Sequence, residues 1–277
     1  MVKHGSGRWL VIGVALAASA VSAVTLSYQL KVGDENKYQS SVTADGTLTI
    51  KSPLGDQAVP FSLTDEELRD LKVTDTAGAG WFWVESRVLK SKVSMKSDAD
   101  AGTGGLMDIP PMNVRMKMDA QGDVSESEAI KDKDAKPAPM EMDFDQVLMI
   151  SQMSGFPTGD VAVGATWQKD VPLKTKDGKT LHATVQSKLL SVSGDEATVE
   201  SRYEAPIPPT EGTFKLSMDI PIKMEGTAKG TGTAVWSVGR GLELRSEGTA
   251  VIDLKLNFGG MDGDGHVTCT SKSALVP

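Results

Sequence analysis

Between Phe214 and Met224 the chain is apolar at every second position: Phe214, Leu216, Met218, Ile220, Ile222 and Met224, with Lys215, Ser217, Asp219, Pro221 and Lys223 between them. Successive side chains of a strand point to opposite faces, so this spacing predicts a strand with one apolar face. A helix would scatter the six residues around its axis. Burying them at roughly 1.5–3 kcal/mol each supplies a large local drive to fold. Gly248 to Phe258 repeats the pattern with Ala250, Ile252, Leu254, Leu256 and Phe258. The two stretches together predict an antiparallel sheet that presents one apolar surface.

The rest of the chain supports a mainly β reading. Val24 to Val32 alternates and predicts a first strand, followed by a turn at Gly33-Asp34-Glu35-Asn36. Lys37 to Val42 returns, Asp45-Gly46 punctuates, and Leu48 and Ile50 continue. Trp81–Leu89, Asn113–Asp119, Val124–Glu128, Trp167–Leu173, Thr180–Leu190, Ala197–Glu204 and Thr233–Val238 read as further strands. Two segments carry helix signals. Thr64-Asp65-Glu66-Glu67 has capping-box spacing and predicts a short helix over Asp65–Leu71. Asp143–Met153 places Phe144, Val147, Leu148 and Ser151 on one helical face, stopped by Gly155 and Pro157. Residues 98–107 read as a Gly- and Asp-rich loop, 131–139 as a surface linker and 259–265 as a loose end. Val84-Glu85-Ser86-Arg87-Val88 returns as Val199-Glu200-Ser201-Arg202-Tyr203. That echo predicts one β domain over 24–258 made of two similar halves, 24–130 and 156–258. Linker and helix 131–155 join them, and 259–277 is a C-terminal tail.

The N-terminus predicts export. Lys3 and Arg8 precede an apolar run, Trp9–Ala20, and Val21-Ser22-Ala23 offers a small-residue cleavage site, making 1–23 a signal peptide. The competing reading is an uncleaved anchor, because the uncharged run continues to Leu30. Once the signal is removed, no integral membrane span is expected. The single cysteine, Cys269, excludes an internal disulfide and reads as a small buried residue. A net charge of −8 with a pI near 5.0 argues against a nucleic-acid partner.

Catalytic chemistry is not visible. No nucleophile elbow and no His-Glu-x-x-His helix occurs. His182 lies in a strand, far in sequence from His266. Asp262-Gly263-Asp264-Gly265-His266 lacks the third donor and the bidentate Glu of a calcium loop and reads as an acidic turn. The thioether pairs Met116/Met118 and Met140/Met142 lack the His or Cys partners of a copper site, so they read as apolar filling. Neither a metal nor a cofactor is expected, and no residue is singled out as catalytic. A hydrolase with scattered carboxylates ranks last among the functions considered.

Phe156-Pro157 followed by Val161-Ala162-Val163-Gly164-Ala165-Thr166-Trp167 resembles a signature of bacterial exported proteins with lipoprotein-carrier-like (LolA/LolB-like) domains, with Ala165 where Asp is usual. Leu26 to Asp34 and Gly239-Arg240-Gly241-Leu242 fit the same resemblance. It implies a curved antiparallel sheet or half-barrel with two or three short helices on its concave side, in the periplasm or on the cell surface. It brings no catalytic residue. The apolar lining expected of such a sheet is Phe214, Leu216, Met218, Ile220, Ile222, Met224, Ile252, Leu254, Leu256 and Phe258. The occupant would be an apolar small molecule, a lipid or a lipoprotein. The alternative is a structural or protein-interaction module whose core is fully packed.

Overall fold

Residues 23–53, 55–97, 113–130, 140–142, 155–174, 179–215 and 219–277 are described by a computed structural model. Every regular element among them is a strand. The main sheet contains β2 (Glu35–Ile50), β3 (Gln57–Thr76), β4 (Trp81–Ser97), β5 (Val114–Asp119) and β6 (Val124–Ala129) from the first part of the chain. From the second part it takes β9 (Thr166–Lys174), β10 (Thr180–Ser193), β11 (Glu196–Lys215), β12 (Asp219–Ser237), β13 (Leu242–Phe258) and β14 (Met261–Val276). The order is β6-β5-β4-β3-β2-β14-β13-β12-β11-β10-β9, antiparallel throughout, with β7 (Met140–Met142) added beside β11. A separate short pair joins β1 (Ala23–Thr25) to β8 (Asp160–Ala162).

The sheet curls into a half-barrel. At one end its two edges come together, because Lys169 of β9 forms an ion pair with Asp123 beside β6. Phe156 also donates its N–H to Gln121 O at 2.8 Å. Glycines on the inner face permit the curl. A Cβ at Gly46 would lie 2.8 Å from the Phe61 ring, and one at Gly230 would lie 2.5 Å from the Tyr203 ring. Each aromatic belongs to the residue paired with that glycine, so the ring lies across the gap a side chain would fill.

Packing concentrates at the joined end. Leu26, Phe156, Val161, Leu189, Ala197, Val199 and Trp236 form one cluster; Val73, Val84, Met116 and Met118 form a second beneath Tyr28 and Leu30. The Trp236 ring meets Tyr28 at 4.9 Å and Phe156 at 4.7 Å, both edge-on, the geometry favoured by the ring quadrupoles. Both copies of the echoed pentapeptide serve this end. Val84 packs under Leu30, Val199 packs with Leu26, and their neighbours pair along the strand as Glu85–Arg87 and Glu200–Arg202. Trp167 closes the rim, with its indole N–H donated to Gly155 O at 2.8 Å.

Several expectations are corrected. Phe214–Met224 is not one strand but the β11–β12 hairpin, where Phe214 pairs with Ile220 and Gly212 with Ile222. Paired positions in this hairpin share parity, so apolar alternation survives the reversal and cannot reveal it. The helix expected over Asp65–Leu71 is the middle of β3, laddered to β2 and β4 on both sides. A seven-residue helix is marginal alone, and two flanking ladders outweigh one capping signal. Asp45-Gly46 does not interrupt β2. Residues 26–34 form no ladder; Tyr28 donates its N–H to Ala120 O and Gln29 to Gly241 O, so this segment crosses the joined end. The expected tail, 259–277, contains β14, which pairs with β13 and β2 at the centre of the sheet. The expected signal 1–23 except Ala23, the loop 98–107, the linker 131–139 and the helix Asp143–Met153 lie outside the described residues.

Candidate functional site

The register places most of the expected lining together. Ile222 stands opposite Phe258, Met224 opposite Leu256, and Ile252 opposite Ala228, all on one face of β12 and β13. Ile222 is buried; Ile220, Met224, Ile252, Leu254, Leu256 and Phe258 are half-buried. Phe214 sits on β11 opposite Ile220, while Leu216 and Met218 lie outside the described residues. Intervening positions Lys223, Glu225, Lys229, Asp253 and Lys255 are exposed on the other face. There they form pairs such as Lys223–Glu211 at 2.7 Å and Lys229–Glu204 at 2.9 Å.

The same face continues across β14 and β2, which sequence reasoning missed. Gly265 lies between Leu254 and Leu48, and a Cβ there would come 3.0 Å from Leu48 Cδ2 and 3.4 Å from Leu254 Cβ. The glycine lets two leucines approach across the strand between them. Val267 follows opposite Ile252 and Gly46. The alternation of Gly263, Gly265, Val267 and Cys269 was the available signal, but three of these four residues are small. Burial pushes the Cys269 thiol up, which keeps it protonated and unreactive. None of the described lining residues belongs to the packed clusters of the joined end.

A polar patch interrupts this face on β3. Arg69 bonds Glu67 at 2.7 Å and donates to Ser86 Oγ at 2.9 Å. Asp65, two positions further along, has a buried Oδ1 with no hydrogen-bond partner. Burial first, and then the Glu67 charge, raise its carboxyl above the usual range. A charged Asp65 therefore destabilises the fold at neutral pH, and protonation relieves this as pH falls through the raised value. Asp65 faces Val42 and Val93 across the ladders. Asp65→Val should stabilise by about 1 kcal/mol at pH 7, with a smaller gain in acid, measured by urea unfolding at both pH values. Equal gains at both would show that the carboxyl charge is not the cause.

Three concavities matter for function. The largest, about 780 Å³, is lined by charged and polar residues such as Thr47, Glu225, Asp253, Lys255 and His266 together with the apolar Leu181, Ile207 and Leu254. Several of its charges already have partners: His266 Nδ1 lies 2.7 Å from Asp253, and Lys51 lies 2.6 Å from Asp264. A second, about 370 Å³, lies on the apolar face at the joined end. A third, about 480 Å³, lies on the charged face beside Lys223 and Asp262. Among the described residues, no group of three or more side chains has the arrangement of a metal site. Among the described residues, no helix is long and apolar enough to cross a membrane, a statement that does not extend to strands.

The sequence matches no protein-family model and no curated protein. Among solved structures, Pseudomonas aeruginosa OccK2 (OpdF) aligns over 86% of this chain and 98% of its own, at 7% identity and a TM-score of 0.24. Pseudomonas aeruginosa OccK7 (OpdD) aligns over 88% and 100%, at 8% identity and a TM-score of 0.21. Similarity at this level carries neither fold nor function across.

Proposed function

We propose that this protein is exported to the bacterial envelope and, without catalysing a reaction, carries an extended apolar ligand along the inner face of β12, β13, β14 and β2. The ligand class is an acyl chain, free or on a lipidated partner. The observation that carries this reading is the half-buried row Met224, Leu256, Leu254, Ile252 and Leu48, which lies away from the packed clusters. Apolar surface of this extent next to water favours an apolar occupant, and methionine adapts its shape to varied chains. Export rests on the N-terminal charge and apolar run and on the small-residue site at Ala23. The curled sheet supports the proposed lipoprotein-carrier-like architecture, with the crossing segments 26–34 and 155–165 covering the joined end.

The competing reading is an interaction module with a closed core. The burial of Ile222 and Val267 and the approach of Leu48 and Leu254 over Gly265 favour it. One experiment separates the two. Native mass spectrometry of the purified protein should show a bound lipid, and its mass should also correspond to a chain beginning at Val24. Ile222→Trp should then abolish uptake of an apolar dye while leaving the melting temperature within a few degrees. An empty, dye-free wild type, with a Trp variant destabilised by about 1–3 kcal/mol from overpacking, would sink the carrier reading.

A further inference from the structure

The cavity at the joined end has a composition unlike that of the β12–β13 face. Its floor is apolar: Leu30, Leu71, Val73, Val84 and Met118. Its mouth is polar, and there three groups make no side-chain hydrogen bond and no close ion pair among the described residues. The Asn36 amide is half-buried and makes no side-chain hydrogen bond. The Arg240 guanidinium stands on the β12–β13 turn without a side-chain hydrogen bond or close ion pair, though its charge acts on the Asp195 carboxylate and the Tyr38 hydroxyl; its backbone N–H is donated to Ser237 Oγ. The Lys31 ammonium forms no ion pair.

Two acids stand at the same mouth. Asp34 Oδ2 accepts the Lys31 backbone N–H at 3.2 Å. Glu35 lies between Lys37 at 3.6 Å and Lys72 at 3.7 Å. The Tyr38 hydroxyl is already donated to Glu243 O at 2.9 Å. The donors left without a hydrogen bond at the mouth are the side chains of Arg240, Asn36 and Lys31, above an apolar floor. A guanidinium presents parallel N–H groups that match the two oxygens of a carboxylate, and an amide N–H₂ adds a third donor. At about 370 Å³ the space falls within the usual range for a small-molecule pocket.

We propose that this cavity is a binding site for a medium-chain carboxylate, its head on Arg240 and Asn36 and its chain against Leu71, Val73, Val84 and Met118. The site is separate from the β12–β13 face, so either can fail alone. The test is calorimetric titration of the full chain with decanoate, with decanol as the uncharged match. Decanoate should bind at one saturable site, weaken as salt rises, and exceed decanol at least tenfold. Arg240→Gln, on an exposed turn, should remove that preference while the melting temperature holds. Leu71→Phe should weaken both ligands by filling the floor. No saturable binding overturns the proposal, as does equal binding of decanoate and decanol. Decanoate affinity that falls in Ile222→Trp but not in Arg240→Gln or Leu71→Phe overturns it too, by assigning the ligand to the larger face.

Discussion

A chain ending at Gly260 should fail to form the sheet at all. The loss removes β14, whose residues pair with Arg245–Phe258 on one side and Lys37–Ile50 on the other. A central strand satisfies ladder groups on both neighbours, so its removal opens two long interior edges. At about 1 kcal/mol net per hydrogen bond, the loss is comparable with the whole stability of a typical domain. It also removes the strand that, among the described residues, joins the β2–β6 meander to the β9–β13 meander. Circular dichroism and limited proteolysis should report a non-cooperative, rapidly digested chain. A truncated protein that melts cooperatively at the wild-type temperature would mean that β14 is dispensable, and the sheet order described above would be wrong.

The second large effect lies at the joined end. Trp236 is 3% exposed and meets two aromatic rings edge-on while packing on Leu189 and Val199. Trp236→Ala should cost about 3–5 kcal/mol, because the surrounding rings can close only part of the cavity left behind. Trp167→Ala should cost less, about 2–3 kcal/mol, since Trp167 is only half-buried and loses one hydrogen bond to Gly155. Urea unfolding of both variants checks the order. If Trp167→Ala proved the more damaging, stability would reside in the rim contact and not in the aromatic trio.

The half-barrel explains why the two apolar faces of the molecule differ. At the joined end the crossing segments 26–34 and 155–165 bring Leu26, Tyr28, Leu30 and Phe156 onto the sheet. Along β12, β13, β14 and β2 the row from Met224 to Leu48 stays half-buried. The proposed carrier function belongs to the second region, and the carboxylate site belongs to a gap within the first.

Much of this was legible in the chain. Alternation at Ile222, Met224, Ile252, Leu254, Leu256 and Phe258 identified strands, the apolar face and the charged face, because side-chain direction in a strand depends only on parity. It could not show that Phe214 and Ile220 face each other across a hairpin, since a reversal that preserves parity leaves the same pattern. Nor could it rank β14. Gly263, Gly265 and Cys269 carry little apolar signal, and Gly265 sits at the centre where Leu48 and Leu254 approach each other in the space a small residue leaves. The capping spacing of Thr64 and Glu67 was a true local preference, overruled once β2 and β4 offered ladder partners on both sides of residues 64–71. Local chemistry thus determined which residues face inward. Which strands meet, and where small residues must lie, was decided only by contacts between residues distant in sequence, because ladder partners and close approaches are properties of the assembled sheet.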